Sequence, residues 1–337
     1  MTLDTVTLTI NTLATPTGYN WRPWQLEDIP NLFALLLAAG EADDRQIRDT
    51  AADMETQFVD PWSDPTTCSL AAFTPEGQAV ATARTYMNPN QSTEARCYFD
   101  VEVHPAHRGQ GLEDFVLEWA EAQGRERLSA APARLPRRLM HGVQDTLAEH
   151  IARLERHGFS PIRYFYRMRR DLSQLIPDRP LPEGLSLRRF APELNQPLLD
   201  AFNESFHDHW NYEPVSAEEW EMFFIKRSSF RPDLSFLVMD GGDITGFSFN
   251  TVSTAENSRN KINEGWVGEL GTRRGWRKRG VASALLCESM RAFKADGLDY
   301  ATLGVDTQNP SGALGLYERL GFEAVKRFIM FAKDVVS

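Results

Sequence analysis

Cysteine is scarce in this chain: Cys68, Cys97 and Cys287 are the only three in 337 residues. They are odd in number and scattered without metal-ligand spacing, which argues against a disulfide framework or a cysteine zinc site and suits a reducing, cytoplasmic setting. Long apolar runs are missing too. The longest, Leu32 to Ala39, is far too short to span a bilayer. Met1-Thr-Leu-Asp-Thr has neither a basic region nor an apolar core, so no signal peptide is expected. Basic charge is in deficit, with a formal net charge of -11. That argues against nucleic acid as a general partner, since phosphate backbones need a basic face, though it tolerates a local basic pocket. No Gly-x-Ser-x-Gly elbow or Gly-Lys-Ser/Thr loop occurs, and Gly109-x-Gly111 lacks the third glycine of a dinucleotide fingerprint. Hydrolase, P-loop and Rossmann readings therefore lose their starting residues.

What is present is a soluble-type composition, 42% hydrophobic and 25% charged, in a chain long enough for two domains. Its most informative stretch runs from Gly265 to Leu286. A short apolar segment with Trp266, Val267, Leu270 and Thr272 leads into the basic glycine loop Arg273 to Gly280, and a helix of small and apolar residues opens near Ala282. The first turn of a helix has backbone N–H groups without intrahelical partners, and the macrodipole adds positive potential, so such a turn attracts anions. Gly280 and Ala282 would let a pyrophosphate approach the backbone, and Arg277, Lys278 and Arg279 add charge.

A second block follows: the apolar run Tyr300 to Val305, then Asn309, Pro310, Ala313 and Tyr317, closed by Gly321-Phe322. The spacing predicts a helix with Asn309 as N-cap, Pro310 at its first position and Gly321 at its end. Ala313 and Tyr317, four apart, share a face.

These two blocks, in this order and at this separation, resemble the signature motifs of the GCN5-related N-acetyltransferase (GNAT) superfamily. The chain also repeats itself. Gly18 to Trp24 recurs as Gly184 to Phe190, the loop at Arg108 recurs at Arg277, and Gly158-Phe159 recurs as Gly321-Phe322. The resemblance is thus to tandem, mycothiol synthase-like acetyltransferases. It implies an α/β fold, an α+β mixed sheet in each of two tandem acyl-CoA N-acyltransferase domains. The Pro- and Gly-rich segment Ile176 to Gly184 suggests a boundary, giving residues 1–175 and 183–337. Tyr164 to Arg169 and Arg327 to Ala332 read as the last strands of the two copies.

The copies differ where chemistry would occur. Glu113 stands where Ala282 stands in the second copy, with Asp114 behind it, and Leu154 and Thr146 replace Tyr317 and Asn309. Carboxylates at that helix start place negative charge where a pyrophosphate would sit. The first copy therefore reads as degenerate and the second as catalytic.

For the second copy, the resemblance implies acetyl-CoA lying between two splayed strands. Its contacts would come from Leu270, Gly271, Thr272, the turn Arg277, Lys278, Arg279, Gly280, Val281, Ala282 and Ser283, and from Asn309, Ala313 and Tyr317. Tyr317 would be the general acid to the departing thiolate. The family's usual base position holds Trp266 here. Strict strand alternation sets Glu269 opposite Trp266, Leu270 and Thr272, which leaves Glu264, acting through a water, as a base. The cluster Phe206 to Glu213, with His207 and His209, is the other source of one. A zinc site at His207, Asp208 and His209 is not expected, because no further ligand pair matches its spacing. The activity implied is acetyl transfer from acetyl-CoA to a small-molecule primary amine by a monomer or homodimer. A non-catalytic acyl-CoA sensor is the alternative.

Overall fold

The computed structural model describes residues 15–47, 50–59, 64–88, 90–309 and 311–335. The readings made above of Met1 to Thr5 and of Pro310 lie outside these residues. The chain forms two compact units, one of residues up to Ile162 with those from Ile329 onward, the other of Arg163–Phe328.

Unit 1 contains β1 (Asn20–Arg22), α1 (Ile29–Ala42), α2 (Ala51–Thr56), α3 (Pro65–Cys68), β2 (Ser69–Phe73), β3 (Ala79–Tyr86), β4 (Ala95–Val103), α4 (Leu112–Ser129), β5 (Arg137–Gln144) and α5 (Ala148–Arg156). Strands β1 to β4 pair antiparallel in chain order, and β4 pairs parallel with β5. Helix α1 buries Ile29, Leu32, Leu35 and Ala39, a stripe spaced three and four apart that packs with Trp24, Ala71 and Phe73. Helix α4 packs Phe115, Val116, Trp119 and Ala120 into a core shared with Cys97, Phe99 and Leu139.

Unit 2 contains β6 (Ser160–Asp171, from Arg163), β7 (Ser186–Arg189), α6 (Asn195–Phe206), α7 (Ala217–Trp220), β8 (Phe236–Asp240), β9 (Asp243–Thr251), α8 (Thr254–Asn260), β10 (Glu264–Thr272), α9 (Val281–Ala295), β11 (Tyr300–Asp306), α10 (Ala313–Arg319) and the first residues of β12 (Glu323–Asp334). Its strand order is β6-β11-β10-β9-β8-β7, with only the β10–β11 pair parallel. One face is covered by α6 and α7, which pack Phe202 and Trp220 on Phe247 and Phe249. The other carries α9 and α10, which pack Leu286, Met290 and Tyr317 with Val267, Leu303 and Val305.

The compact units do not part at the proline-rich segment, which lies inside unit 2. The strand that closes the first repeat in sequence, β6, pairs antiparallel with β11 from Phe165↔Asp306 to Asp171↔Tyr300. Arg163 on Asp306 at 2.6 Å and Arg170 donating to Leu320 O at 3.0 Å hold it there. The last residues of the second repeat belong to unit 1, where Asp334 meets Arg138 and Lys333 meets Glu121. No helix among the described residues is long and apolar enough to cross a membrane.

Candidate active site

Parallel pairing of β10 with β11 runs Glu264↔Tyr300, Gly265↔Ala301 and Trp266↔Thr302 and then stops, although β10 continues to Thr272 and β11 to Asp306. Beyond Trp266 the strands splay. The facing edges then present backbone N–H and C=O groups that need a partner. Such a slot suits an extended, amide-bearing molecule.

Strand β10 also carries a bulge. Its pairing with β9 reads Trp266↔Thr251, Val267↔Asn250, then Glu269↔Phe249, Leu270↔Ser248 and Thr272↔Gly246. Gly268 is the extra, exposed residue. A bulge shifts the alternation by one. Glu269 therefore shares a face with Trp266 and Phe249, while Leu270 and Thr272 share the other with Val267. This overturns the expectation from strict alternation, which set Glu269 opposite Trp266. Two signals in the sequence pointed to it. One is a lone glycine inside an apolar strand. The other is the repeat itself: Tyr98 and Trp266, which end the parallel pairing in their units, are 168 residues apart, but Arg108 and Arg277 are 169 apart. The second copy has gained one residue, and β4 pairs with β3 without a register shift.

After Thr272 a short turn leads to α9. The Arg277 guanidinium donates to Thr272 O at 3.2 Å, Ser205 O at 2.9 Å and Asp208 at 2.8 Å, and Arg274 donates to Asp208 at 2.7 Å. Arg277 thus staples the loop to the end of α6, and its charge is spent on Asp208 rather than aimed outward. Hydrogen bonds from Arg277 and the charges of both arginines hold the Asp208 carboxyl below its usual range. Lys278 and Arg279 are exposed, with Arg279 stacked 4.7 Å over Trp276. Lys278 has φ +63° and Gly280, the N-cap, φ +93°. No side chain caps α9, whose first turn begins Val281-Ala282-Ser283.

The matching turn of unit 1 is filled from within. Glu113 accepts the Gly109 N–H at 2.8 Å, so a carboxylate sits on the backbone donor that the loop would offer an anion. Arg108 is held by Asp43 at 2.6 and 2.9 Å. The splay between β4 and β5, which begins after Tyr98↔Met140, is closed as well. His141 bonds Phe99 O through Nδ1 at 2.8 Å, stacks on the Phe99 ring at 4.7 Å, and meets His150 Nε2 at 2.9 Å. Burial lowers both imidazole pKa values, His150 to about 3, so the pair is neutral.

In unit 2 the position of His150 is taken by Ala313 and that of Leu154 by Tyr317. Helix α10 ends with Phe322 N–H on Tyr317 O and Gly321 N–H on Glu318 O, and the rings of Tyr317 and Phe322 lie 6.1 Å apart. Those two hydrogen bonds and the apolar clasp fix the Tyr317 backbone, and the residue is 8% exposed. Desolvation, then the charge of Glu269, pushes the phenol up to about 12, so it keeps its proton at neutral pH.

Other expected residues sit differently. Asn309 is not the N-cap of α10, which starts at Ala313 behind Gly312 (φ +72°); Asn309 instead folds a local turn, accepting the Ser311 N–H at 2.9 Å. Gly271 is packed under Phe247, whose ring atoms would lie 2.2 Å from an added Cβ. Glu264 has no exposed surface, and its oxygens accept from Arg169 at 2.9 Å, Thr302 at 2.7 Å and Trp266 Nε1 at 3.1 Å. Those are the partners of a buried structural ion pair, and both carboxylate oxygens are already engaged. His209 packs on Phe206 at 4.3 Å, and desolvation, followed by Arg277, lowers its pKa. Its neighbour Trp210 lies against Phe165 and under Arg163. Among the described residues no cluster of three or more His, Cys, Asp or Glu could hold a metal ion.

A family model described as the acetyltransferase (GNAT) family matches residues 31–159 and again 195–322. The mycothiol acetyltransferase of Streptomyces coelicolor is 31% identical over 245 residues, 70% of this chain and 71% of that protein. That of Paenarthrobacter aurescens is 26% identical over 325 residues, 87% and 94% of the two chains. Among solved structures, a GCN5-related N-acetyltransferase from Sphaerobacter thermophilus superposes with a TM-score of 0.76 at 26% identity, over 95% of this chain and 97% of that one. A tandem GNAT protein from the clavulanic acid biosynthesis pathway, at 16% identity and TM-score 0.67, shares the fold.

Proposed function

This chain belongs to the acetyltransferase (GNAT) family and is an N-acetyltransferase, and we propose that unit 2 moves an acetyl group from acetyl-CoA to the primary amine of a small molecule. The contrast at one loop carries the reading: Glu113 occupies the Gly109 N–H in unit 1, while Ala282 leaves the equivalent turn of unit 2 to a ligand. The pyrophosphate would lie on the backbone from Lys278 to Ser283 with Lys278 and Arg279 alongside, and the pantetheine amides would pair with the free edge of β10. Arg277 supports that loop from behind.

With the thioester at the splay, a main-chain N–H near the bulge would donate to its carbonyl as negative charge builds there during direct attack by the amine. Tyr317, buried and protonated, would give its proton to the departing thiolate. Unit 1, with its turn and its splay both filled by its own side chains, would serve a structural role.

The test follows release of free CoA thiol from acetyl-CoA over a panel of primary amines, wild type against Tyr317→Phe. Turnover on at least one amine is expected, with kcat down roughly ten- to a thousandfold in the variant and acetyl-CoA affinity held. Tight acetyl-CoA binding with no turnover on any amine would replace this reading with the acyl-CoA sensor.

A further inference from the structure

An amine arrives at neutral pH as an ammonium, and something must take its proton before it can attack. The family's usual base position is the indole of Trp266, and Glu264 is locked in its ion pair. The bulge supplies another carboxylate. Gly268 turns Glu269 onto the face of Trp266, three residues past the last β10–β11 pair, where the strands have separated. Tyr317 belongs to the apolar cluster on the opposite face, yet the Glu269 charge reaches its phenol. The two side chains therefore lie on opposite faces of the sheet where its strands part, the arrangement needed when a thioester in the slot is attacked from one side and its sulfur is protonated from the other.

We propose that Glu269 is the catalytic base of unit 2, reached only because Gly268 reverses the strand's alternation. The inference rests on the Proposed function. Among the described residues Glu269 makes no hydrogen bond or ion pair, unlike every oxygen of Glu264. Desolvation pushes its carboxyl up to about 8, against the opposing charge of Arg227. Among the described residues, the Arg167 guanidinium also lies on that face, 5.1 Å over the Trp266 ring, and the Tyr317 phenol feels the Glu269 charge from the other face. A carboxylate of that basicity is matched to an alkylammonium far better than one at the ordinary value.

The ammonium gives one proton to Glu269, and the amine nitrogen bonds to the thioester carbon. The C–S bond breaks as the thiolate takes the Tyr317 proton. The second N–H proton, made acidic by acylation, restores the phenol, and Glu269 releases its proton to solvent. The unit-1 counterpart, Asp100, lies on a strand without the extra residue, exposed and 3.6 Å from Arg84.

The experiment compares Glu269→Gln with wild type on whichever primary amine of the panel the wild type acetylates. Expected are a roughly hundred- to thousandfold loss of kcat, within the lower part of the range for a general base, loss of the acid limb of the kcat/KM profile near pH 8, and unchanged acetyl-CoA affinity. Glu269→Asp should recover part of the rate and restore a limb. The Glu269 carboxyl, followed by 13C NMR against the Gln variant, should titrate several units above an ordinary glutamate. Wild-type turnover with an unaltered rate and pH profile in Glu269→Gln, or a carboxyl titrating near 4.5, overturns this assignment and leaves the Proposed function standing. A wild type silent on every amine removes both.

Discussion

Replacing Ala282 with glutamate would copy into unit 2 what Glu113 does in unit 1. The two positions are 169 residues apart, as are Lys278 and Gly109, so the new carboxylate should reach the Lys278 N–H as Glu113 reaches Gly109 at 2.8 Å. Two effects of opposite sign follow. In the free protein a carboxylate on unpaired donors at a helix start contributes about 0.5–1 kcal/mol of stability, or roughly 1–3 °C in Tm for a unit of this size. Towards the cofactor it repels. A single charge about 5 Å from a diphosphate bearing two, at an effective dielectric constant of about 40–60, costs about 2–3 kcal/mol, which is one and a half to two orders of magnitude in affinity. Titration calorimetry with CoA and thermal melts of the same samples read both effects, with Ala282→Gln as the uncharged control. A more stable protein that binds CoA more weakly is expected, and the penalty should shrink at high salt. Unchanged CoA affinity alongside raised stability would mean that the carboxylate formed its cap and the pyrophosphate lies elsewhere.

Three further outcomes follow from the geometry. Glu264→Gln should cost about 2–3 kcal/mol in chemical denaturation, below the cost of stranding a fully buried charge because the Arg169 guanidinium it leaves unpaired is part-exposed, while the pH at which activity rises stays put; a shifted pH limb with unchanged stability would return Glu264 to the proton path. Lys278→Gly should stabilise the chain by about 1 kcal/mol, since lysine is held there at φ +63° where the counterpart Gly109 has φ +74°; a loss of stability would show that the lysine side chain holds the loop. The His141–His150 pair makes unit 1 acid-sensitive. Because folded pKa values lie below the unfolded value, the unfolded chain binds more protons as pH falls below 6.5. Stability present above that pH should therefore drop by about 2–3 kcal/mol on reaching pH 4.5; calorimetric melts in which His150→Ala shows the same acid loss would refute this.

Much of this protein was legible before folding was considered. The turn at Arg277 to Ala282, the Gly321 stop and the internal repeat are local demands: positive φ, unpaired N–H groups at a helix start, and spacings of three and four. Each is met by residues adjacent in the chain, so the residue types alone declare it. The carboxylate of Glu113 was likewise visible, because its partner Gly109 is four residues away. Tyr317 was placed by its register with Gly321 and Phe322, which close the same helix.

The rest depends on partners remote in sequence. Whether Glu269 or Leu270 turns toward Trp266 is decided by pairing with β9, where one added glycine reverses the faces of everything after it. Arg277 reads as a phosphate ligand until Asp208, 69 positions away, claims its guanidinium. Glu264 reads as a free carboxylate until Arg169, 95 positions away, neutralises it. The strand that ends the first repeat bonds to β11 in unit 2, which no boundary signal announces, because hydrogen-bonding edges are alike in composition and differ only in what stands beside them.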